Sequence, residues 1–415
     1  MGSPAIEHAQ QILTAFSALF FAGAIAAKLA DRLNVPDVVL FLLIGIVAGP
    51  AGLDVVKVPA ESALNQLMLI LGASFLLFQG GISVSFRVLK QVWITLILLA
   101  TVAVLVTAAV VGIIAHHALG IELASALLLG AVIASTDPAT LVPIFLAVRV
   151  RDKVAQTVLS ESALNDATGA ILTFAVLGIV QSGEFSAAAS LRQFSVLALG
   201  GAAIGAAFGL IAVFLKSNRA RNFFTAYAKV LLLPVILGAY LTADYVGASG
   251  FMAVFVVGLI YGNKDVLGLA MPEADHDSLN YFIDNGSLLL RMIIFILLGT
   301  HVDFTVAQQF LLPGLIVIAA FILIARPLSV LVCTLPDRRA RWSRNEILFM
   351  CWTRETGAIP AALSGILVGM KVPHADAIAA LTFLAILSTL LIQATTTRWA
   401  AMRLGLLENA KAGNA

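Results

Sequence analysis

The stretch ASTDPATLVP, residues 134–143, places an aspartate and two prolines inside a long apolar run. Pro138 and Pro143 have no backbone N–H, so neither can donate to the carbonyl four residues earlier in a helix. We predict that the helix opens around Thr136 and Asp137. A plain proline kink with a capping aspartate is the alternative interpretation.

The rest of the chain is as apolar as this run. Of its 415 residues, 60% are hydrophobic and 12% are charged, and the mean hydropathy is +1.02. Soluble domains carry about 25% charged residues, and apolar stretches of about 18 residues are long enough to cross a bilayer. Because such stretches recur along the sequence, we predict an all-α polytopic membrane protein. Open backbone at membrane depth is tolerated only where it is buried in protein or lines a cavity, so the interrupted helix indicates a functional site.

The apolar stretches predict thirteen transmembrane helices. Their approximate bounds are 9–30, 37–53, 62–80, 91–114, 122–148, 153–181, 193–215, 225–243, 248–263, 278–300, 309–334, 344–369 and 377–402. If the N-terminus lies outside, most of the 25 Lys and Arg residues fall in inner loops. The positive-inside rule therefore places the N-terminus outside and the C-terminus in the cytoplasm. Arg291, Arg326 and Arg354 lie within predicted spans.

A second stretch, WTRETGAIPAAL at residues 352–363, repeats the interruption in the twelfth predicted span. Pro360 frees the carbonyl of Thr356, and Gly357 loosens the turn. The two interrupted spans are seven apart, so two six-helix repeats that contain them are inverted relative to each other. Inverted repeats whose broken helices meet near the midplane are typical of secondary transporters. We predict one transport domain over residues 1–415, with repeat one at about 9–181, a linking helix at 193–215, repeat two at 225–402 and a cytoplasmic tail at 403–415.

Polar residues also cluster in the sixth predicted span, as SESALNDATG at residues 160–169. Ser162 and Asp166 are four residues apart and share one helix face. Their oxygens, together with those of Thr136 and Asp137, are ligands that a hard cation prefers. A carboxylate in a partly dry cavity binds either a proton or a cation, so this cluster predicts a site where the two compete.

Glu161 and Asn165 share the neighbouring strip of the same helix. A carboxylate at membrane depth is costly and normally has a positive partner. Arg326 and Arg354 are both available within predicted spans. The spacing does not choose between them.

Other functional classes fit the sequence less well. The six histidines fall at predicted loops or span ends, and the sequence shows no metal-ligand cluster, nucleophile–base pair or phosphate-binding loop. We therefore expect neither an enzyme nor a cofactor. A cation channel or gated pore that uses the same carboxylates is the main alternative, although it would not need inverted broken helices around one carboxylate. An organic-anion symporter would need helix N-termini that face an anion and fewer buried acids.

Five stretches, in order along the chain, carry a resemblance to a known family. They are STDPAT (135–140), SESALNDATGA (160–170), GASGFMAVFVVGLIYGN (247–263), ARPLSV (325–330) and RETGAIPAAL (354–363). The chain resembles the sodium/proton antiporter branch of the monovalent cation/proton antiporter superfamily, relatives of the animal sodium/hydrogen exchangers. The resemblance implies alternating-access exchange of Na⁺, with K⁺ as the alternative, for H⁺. It also implies a homodimer in the inner membrane, in which a core of spans 4–6 and 11–13 moves past a scaffold that includes the dimerisation domain.

The resemblance further implies roles for single residues of the first repeat. Asp166 is expected to carry the cation and the proton in turn. Thr136, Asp137 and Ser162 are expected to be companion ligands of the monovalent cation. The pairing of Asn165 with Asp166 implies electroneutral one-for-one exchange.

The resemblance gives Glu161 a structural partner, Arg326. Two departures from the family pattern matter. Gln79 stands where some relatives have an acid near the end of span three, and RETG replaces a common RG pattern, so Arg354 and Glu355 are expected beside the site without an assigned role. Relatives with an RETG-like motif often continue into a soluble regulatory domain. This chain ends soon after its last predicted span, so we expect that domain to be absent or removed.

Overall fold

The structure is a computed structural model that describes residues 4–33, 36–56, 58–84, 86–136, 150–183, 187–216, 228–265, 273–302 and 304–407. Over these ranges the chain is helical, apart from turns, loops and one isolated β-bridge between Val150 and Leu407. The predicted all-α class is confirmed.

The first seven described helices lie between residues 4 and 182. They are α1 (Pro4–Leu33), α2 (Asp37–Ala48), α3 (Ala63–Ser83), α4 (Phe86–Ala100), α5 (Val102–Leu119), α6 (Leu123–Val132) and α7 (Asp152–Ser182). The remaining described helices are α8 (Ala187–Ser195), α9 (Gly201–Lys216), α10 (Ala228–Tyr245), α11 (Gly250–Gly262), α12 (Glu273–Thr300), α13 (Phe304–Gln309), α14 (Leu311–Ala320), α15 (Arg326–Thr334), α16 (Arg344–Trp352), α17 (Ala358–Gly369), α18 (Ala375–Ser388) and α19 (Thr395–Arg403).

Every predicted span contains at least one described helix. Seven helical stretches of the described chain are long and apolar enough to cross a membrane, and six shorter apolar helices of 10–17 residues accompany them. The membrane class is therefore confirmed. The count of thirteen crossings and the division into repeats, core and dimerisation domain stay predictions.

Three pairs of consecutive described helices are joined by π-helical turns. These turns are Val196–Gly200 between α8 and α9, Phe321–Ala325 between α14 and α15, and Thr389–Ala394 between α18 and α19. A π-helical turn shifts the backbone register and is frequent at functional sites. The second turn directly precedes Arg326, and the third contains Thr389, which contacts the second interruption.

Both predicted interruptions occur within or beside described helices. The second is a non-helical segment at residues 353–357 between α16 and α17. Pro360 lies in the first turn of α17, where its missing N–H removes no helical hydrogen bond. At the first predicted interruption, α6 already ends at Val132, and Ser135 and Thr136 are non-helical. Asp137, Pro138 and Pro143 lie outside the described residues.

Small residues allow the helices around the site to pack closely. A Cβ added at Gly258 of α11 would lie 2.1 Å from the carbonyl oxygen of Phe78 on α3, and one added at Gly81 would lie 2.2 Å from that of Phe255. Such small-residue contacts are typical of helices that associate in a membrane. The most buried of the seven long spans is α7, which packs against α3, α4, α6, α11 and α17.

Candidate ion-binding site

Helix α7 carries the polar cluster of the sixth predicted span into the interior. Glu161, Ser162 and Asn165 are each at most 2% exposed, and Asp166 is 8% exposed. The sequence predicted this clustering from helical spacing, and the structure places all four side chains within the protein. Their burial in an apolar surround requires specific partners.

Asn165 holds the opened backbone of the first interruption. Its Oδ1 accepts the backbone N–H of Thr136 at 3.0 Å, and its Nδ2 donates to Thr136 Oγ1 at 3.0 Å. Because α6 ends at Val132, the N–H of Thr136 has no acceptor in a continuing helix, and the amide of Asn165 supplies one. Asn165 is thus a positioning residue for the interruption.

Thr136 also contacts Ser162, since its Oγ1 donates to Ser162 Oγ at 2.8 Å. Asp166 follows Ser162 by four residues on the same face of α7. The structure therefore brings Thr136, Ser162 and Asn165 into contact and places Asp166 one turn away. Asp137 lies outside the described residues, so its place among the ligands stays a prediction.

The chemistry of this cluster suits an ion of low charge. Among the described residues, no group of three or more His, Cys, Asp or Glu side chains could hold a metal ion. The atoms of the cluster that could bind an ion are hydroxyl and amide oxygens, next to the carboxylate of Asp166. Oxygen ligands with a single carboxylate match a monovalent cation better than a transition metal.

Glu161 makes a buried two-pronged ion pair with Arg326 of α15. Arg326 Nη1 donates to Glu161 Oε1, and Nη2 donates to Oε2 at 3.0 Å. The same guanidinium donates from Nε to the carbonyl of Met350 at 2.9 Å and from Nη2 to that of Thr353 at 3.1 Å. Those carbonyls belong to the end of α16, where a positive charge is favourable. Arg326 thus joins α7, α15 and the second interruption.

Arg354 joins the two interruptions to each other. Its Nη2 donates to the carbonyl of Ala134, just past the end of α6, and its Nη1 donates to Thr107 Oγ1 at 3.1 Å. The guanidinium carbon also lies 4.9 Å from the centre of the Phe321 ring, within the range of a cation–π contact. The sequence had left the role of this arginine open; its contacts are with an opened backbone and not with Glu161.

The neighbours of Arg354 in the second interruption are also buried. Glu355 is 0% exposed, and the N–H of Thr356 donates to Thr389 Oγ1 at 3.1 Å. Thr107 Oγ1 lies 3.1 Å from Ser329 Oγ. Sequence reasoning missed Thr107, Ser329 and Thr389, because a single hydroxyl in an apolar run gives no signal of its own.

Two other polar residues within predicted spans lie on different helices. Arg291 of α12 pairs with Asp37 at the start of α2, with Nη2 2.8 Å from Oδ2. Gln79 of α3, at the position where some relatives have an acid, donates to Asp284 of α12 at 3.1 Å. Neither pair involves a residue of the cluster on α7.

Comparisons with known proteins agree over almost the whole chain. The sequence profile of the transmembrane sodium/hydrogen exchanger family matches residues 16–403. The Na(+)/H(+) antiporter 1 of Methanocaldococcus jannaschii is 33% identical over 369 residues, which is 86% of this chain and 83% of that one. The K(+)/H(+) antiporter NhaP of Alkalimonas amylolytica is 30% identical over 353 residues, which is 83% of this chain and 58% of that one. The solved structure of the sodium proton antiporter MjNhaP1 from Methanocaldococcus jannaschii at pH 8 superimposes with a TM-score of 0.80 at 28% identity and covers 95% of this chain and 99% of that one.

Proposed function

The chain belongs to the sodium/hydrogen exchanger family of membrane antiporters, and from this membership we propose that it exchanges Na⁺ for H⁺ through Asp166. It is a transporter and not an enzyme. The channel alternative finds no support among its relatives, which are named Na⁺/H⁺ and K⁺/H⁺ antiporters. K⁺ remains the second candidate cargo, because both ions take oxygen ligands.

The observation that carries the residue assignment is the contact between α7 and the opened backbone at Thr136. It sets the hydroxyls of Thr136 and Ser162 one helical turn from Asp166. An ionised Asp166 with these oxygens can hold a monovalent cation, and a protonated Asp166 cannot neutralise one. The two ions therefore exclude each other, which is the requirement for exchange at one site.

The proposed motion is alternating access by a core that moves past a scaffold. The core comprises α4–α7 and α14–α19, and the scaffold comprises α1–α3 and α8–α12. The contacts of Arg326 and Arg354 join helices of the core to each other, which supports its moving as one body. From the family resemblance we place the protein in the inner membrane as a homodimer, and from the two interrupted spans we place the repeats at about 9–181 and 225–402, with a tail at 403–415. The basic residues favour the inner loops, so we place the N-terminus outside and the C-terminus in the cytoplasm.

The test is exchange in proteoliposomes by Asp166→Asn. An amide can neither release a proton nor neutralise a cation, so exchange should be abolished. Asp152→Asn is the matched control, because it makes the same substitution at an exposed position of the same helix and should leave exchange unchanged. Near-normal transport by Asp166→Asn would show that another group carries the ions.

A further inference from the structure

One face of α17 lies directly against α3. Ala361, Gly365 and Gly369 recur every four residues and so share that face. A Cβ added at Gly365 would lie 2.7 Å from Leu69 Cδ1, and one added at Gly369 would lie 1.8 Å from Gln66 Nε2. The two helices can approach this closely only because the α17 face has no side chains at these two positions.

A polar side chain bridges the same contact. Gln66 Nε2 donates to the carbonyl of Ala60 at 2.8 Å and to the carbonyl of Gly365 at 3.3 Å. An amide nitrogen carries two hydrogens, so both bonds can exist together. Ala60 lies in the loop before α3, within the proposed scaffold, whereas Gly365 lies in the proposed core.

We propose that Gln66 is a positioning residue that latches the outer side of the antiporter closed by bridging the scaffold to α17. The bond to Ala60 holds the amide in place whether or not the core is docked. The bond to Gly365 exists only when α17 is docked, so it must break each time the outer side opens. This inference rests on the proposed alternating-access exchange and names one contact that sets its equilibrium.

The two half-helices of the twelfth predicted span differ in their contacts with the scaffold. Helix α17 packs against α3 and α12 of the scaffold, whereas α16 packs principally against α7, α15 and α19 of the core. The proposed orientation places the α17 end outside. Of the two half-helices, the outer one therefore has the closer contact with the scaffold, at the position of Gln66, and α7 of the core also packs against α3 and α11.

A cavity of about 160 Å³ lies beside the bridge, and its lining includes the polar residues His301 and Asp376. Leu69 and Leu297 line it from the scaffold, and Ala361 and Gly365 line it from the core. Scaffold and core do not touch each other across this cavity, so the hydrogen bond from Gln66 joins them at its edge.

The test is Gln66→Met, which keeps the length of the side chain and removes both donors. The apparent KM for Na⁺ is measured separately from the inner and the outer side in vesicles of known orientation. Loss of the bridge favours the outward-facing state, so the ratio of the outer KM to the inner KM should fall by roughly fivefold, as expected for one neutral hydrogen bond. A role in stability alone would leave this ratio unchanged.

Two glycine variants form a matched pair for the same measurement. Gly365→Ala pushes against Leu69 across the scaffold–core contact and should lower the ratio as Gln66→Met does. Gly314→Ala meets Leu381 Cδ2 at 2.5 Å, but both residues belong to the core, so it should leave the ratio unchanged. If Gln66→Met does not fold, the ratio of the outer KM to the inner KM in Gly365→Ala alone tests the proposal.

The failure of the latch is distinguishable from the failure of the proposed function. An exchanging Gln66→Met or Gly365→Ala variant with an unchanged or higher ratio would overturn the latch. An unmodified protein that does not exchange Na⁺ or K⁺ for H⁺ would overturn the proposed function, and the latch with it.

Discussion

At the scale of single residues, the pair of Glu161 and Arg326 shows how the chain keeps charges in an apolar interior. Arg326 is 1% exposed and donates to Glu161 and to two backbone carbonyls at the end of α16. Buried ion pairs are weak sources of net stability, because desolvation offsets the attraction. Removing one member, in contrast, leaves an uncompensated buried charge.

Arg326→Gln should therefore lower the free energy of unfolding by about 3–5 kcal/mol. Adding Glu161→Gln should recover much of that loss, because no buried carboxylate then lacks its partner. Thermal unfolding of the purified variants in detergent measures both effects. A double variant no more stable than Arg326→Gln would show that the two residues are not energetic partners.

The pair of Arg291 and Asp37, which is less deeply buried, is the control for this series. Its side chains are 16% and 25% exposed, so solvent screens the interaction. Arg291→Gln should cost about 1 kcal/mol or less. A cost as large as that of Arg326→Gln would indicate that burial is not the cause of the difference.

The residues of the site were predictable from sequence to different degrees. Helical spacing placed Ser162 and Asp166 on one face, and both are buried on α7. Spacing left Glu161 with two arginines to choose from, and the structure pairs it with Arg326 of α15. Thr107 could not have been predicted, because its contact with Arg354 depends on a tertiary approach between helices far apart in sequence.

At the scale of helices, a proline shows that a helix cannot continue but not where it ends. Pro360 led to an expected opening near Thr356, and the non-helical segment covers residues 353–357. Helix α6 ends at Val132, earlier than the expected opening near Thr136. In both cases tertiary partners satisfy the freed backbone, as Arg354 does for the carbonyl of Ala134, and these partners are not visible in a local sequence pattern.

Helix α4 has a kink of a different kind, held from outside by Asp337. Val92 has non-helical dihedrals of φ −128° and ψ 23°, and beyond it Asp337 Oδ2 accepts the N–H of Thr95 at 3.1 Å and its Oγ1–H at 2.7 Å. The N–H of Ala340 donates to Asp337 Oδ1 at 3.2 Å. Asp337 thus ties the loop between α15 and α16 to the restarted turn of α4. This kink was not predicted, because residues 86–100 contain no proline.

Asp337→Asn should lower the free energy of unfolding by about 1–2 kcal/mol at neutral pH, because bonds to an ionised group become neutral ones. Burial raises the pKa of Asp337, but the hydrogen bonds from Thr95 and Ala340 outweigh it and leave the pKa below its ordinary value of 3.8. A depressed folded pKa gives stability that is present above the unfolded value and lost as the pH falls through the folded value. The difference in thermal unfolding temperature between the unmodified protein and Asp337→Asn should therefore become smaller below pH 3.8. If that difference in unfolding temperature stayed constant with pH, the ionised carboxylate of Asp337 would not be what stabilises the loop.

At the scale of the whole molecule, the length of the apolar stretches located the helices. It did not predict where helices are interrupted or joined by π-helical turns. Every predicted apolar span contains a described helix, because crossing a bilayer needs about 20 apolar residues, whereas the short helix α13 lies almost wholly between two predicted spans. The described parts of the two interrupted helices, α6 and α17, have only 10 and 12 residues. The π-helical turns at Phe321–Ala325 and Thr389–Ala394 were not predicted, because their sequences are ordinary apolar ones.

Charge movement during exchange is also a property of the whole molecule, because every buried ionisable group can contribute to it. If Asp166 exchanges one proton for one cation, the charge of the site is equal in the two loaded states. Guanidinium groups stay protonated, so Arg326 and Arg354 should release no compensating proton. The cycle then moves no net charge across the membrane, so the membrane voltage does not drive it. Each elementary charge moved would add about 2.3 kcal/mol per 100 mV to the driving force.

Sodium/proton exchange in proteoliposomes should therefore have the same rate and end point with and without a valinomycin-clamped potential. The control is the Asp166→Asn variant, which should show no exchange at either potential and so exposes any leak. A rate that follows the voltage would rule out electroneutral exchange and mean that a second carboxylate titrates in the cycle. Glu355, fully buried in the second interruption beside Arg354, is the first such group to examine. If it is that group, Glu355→Gln should remove the voltage dependence while Asp166 continues to exchange the two ions.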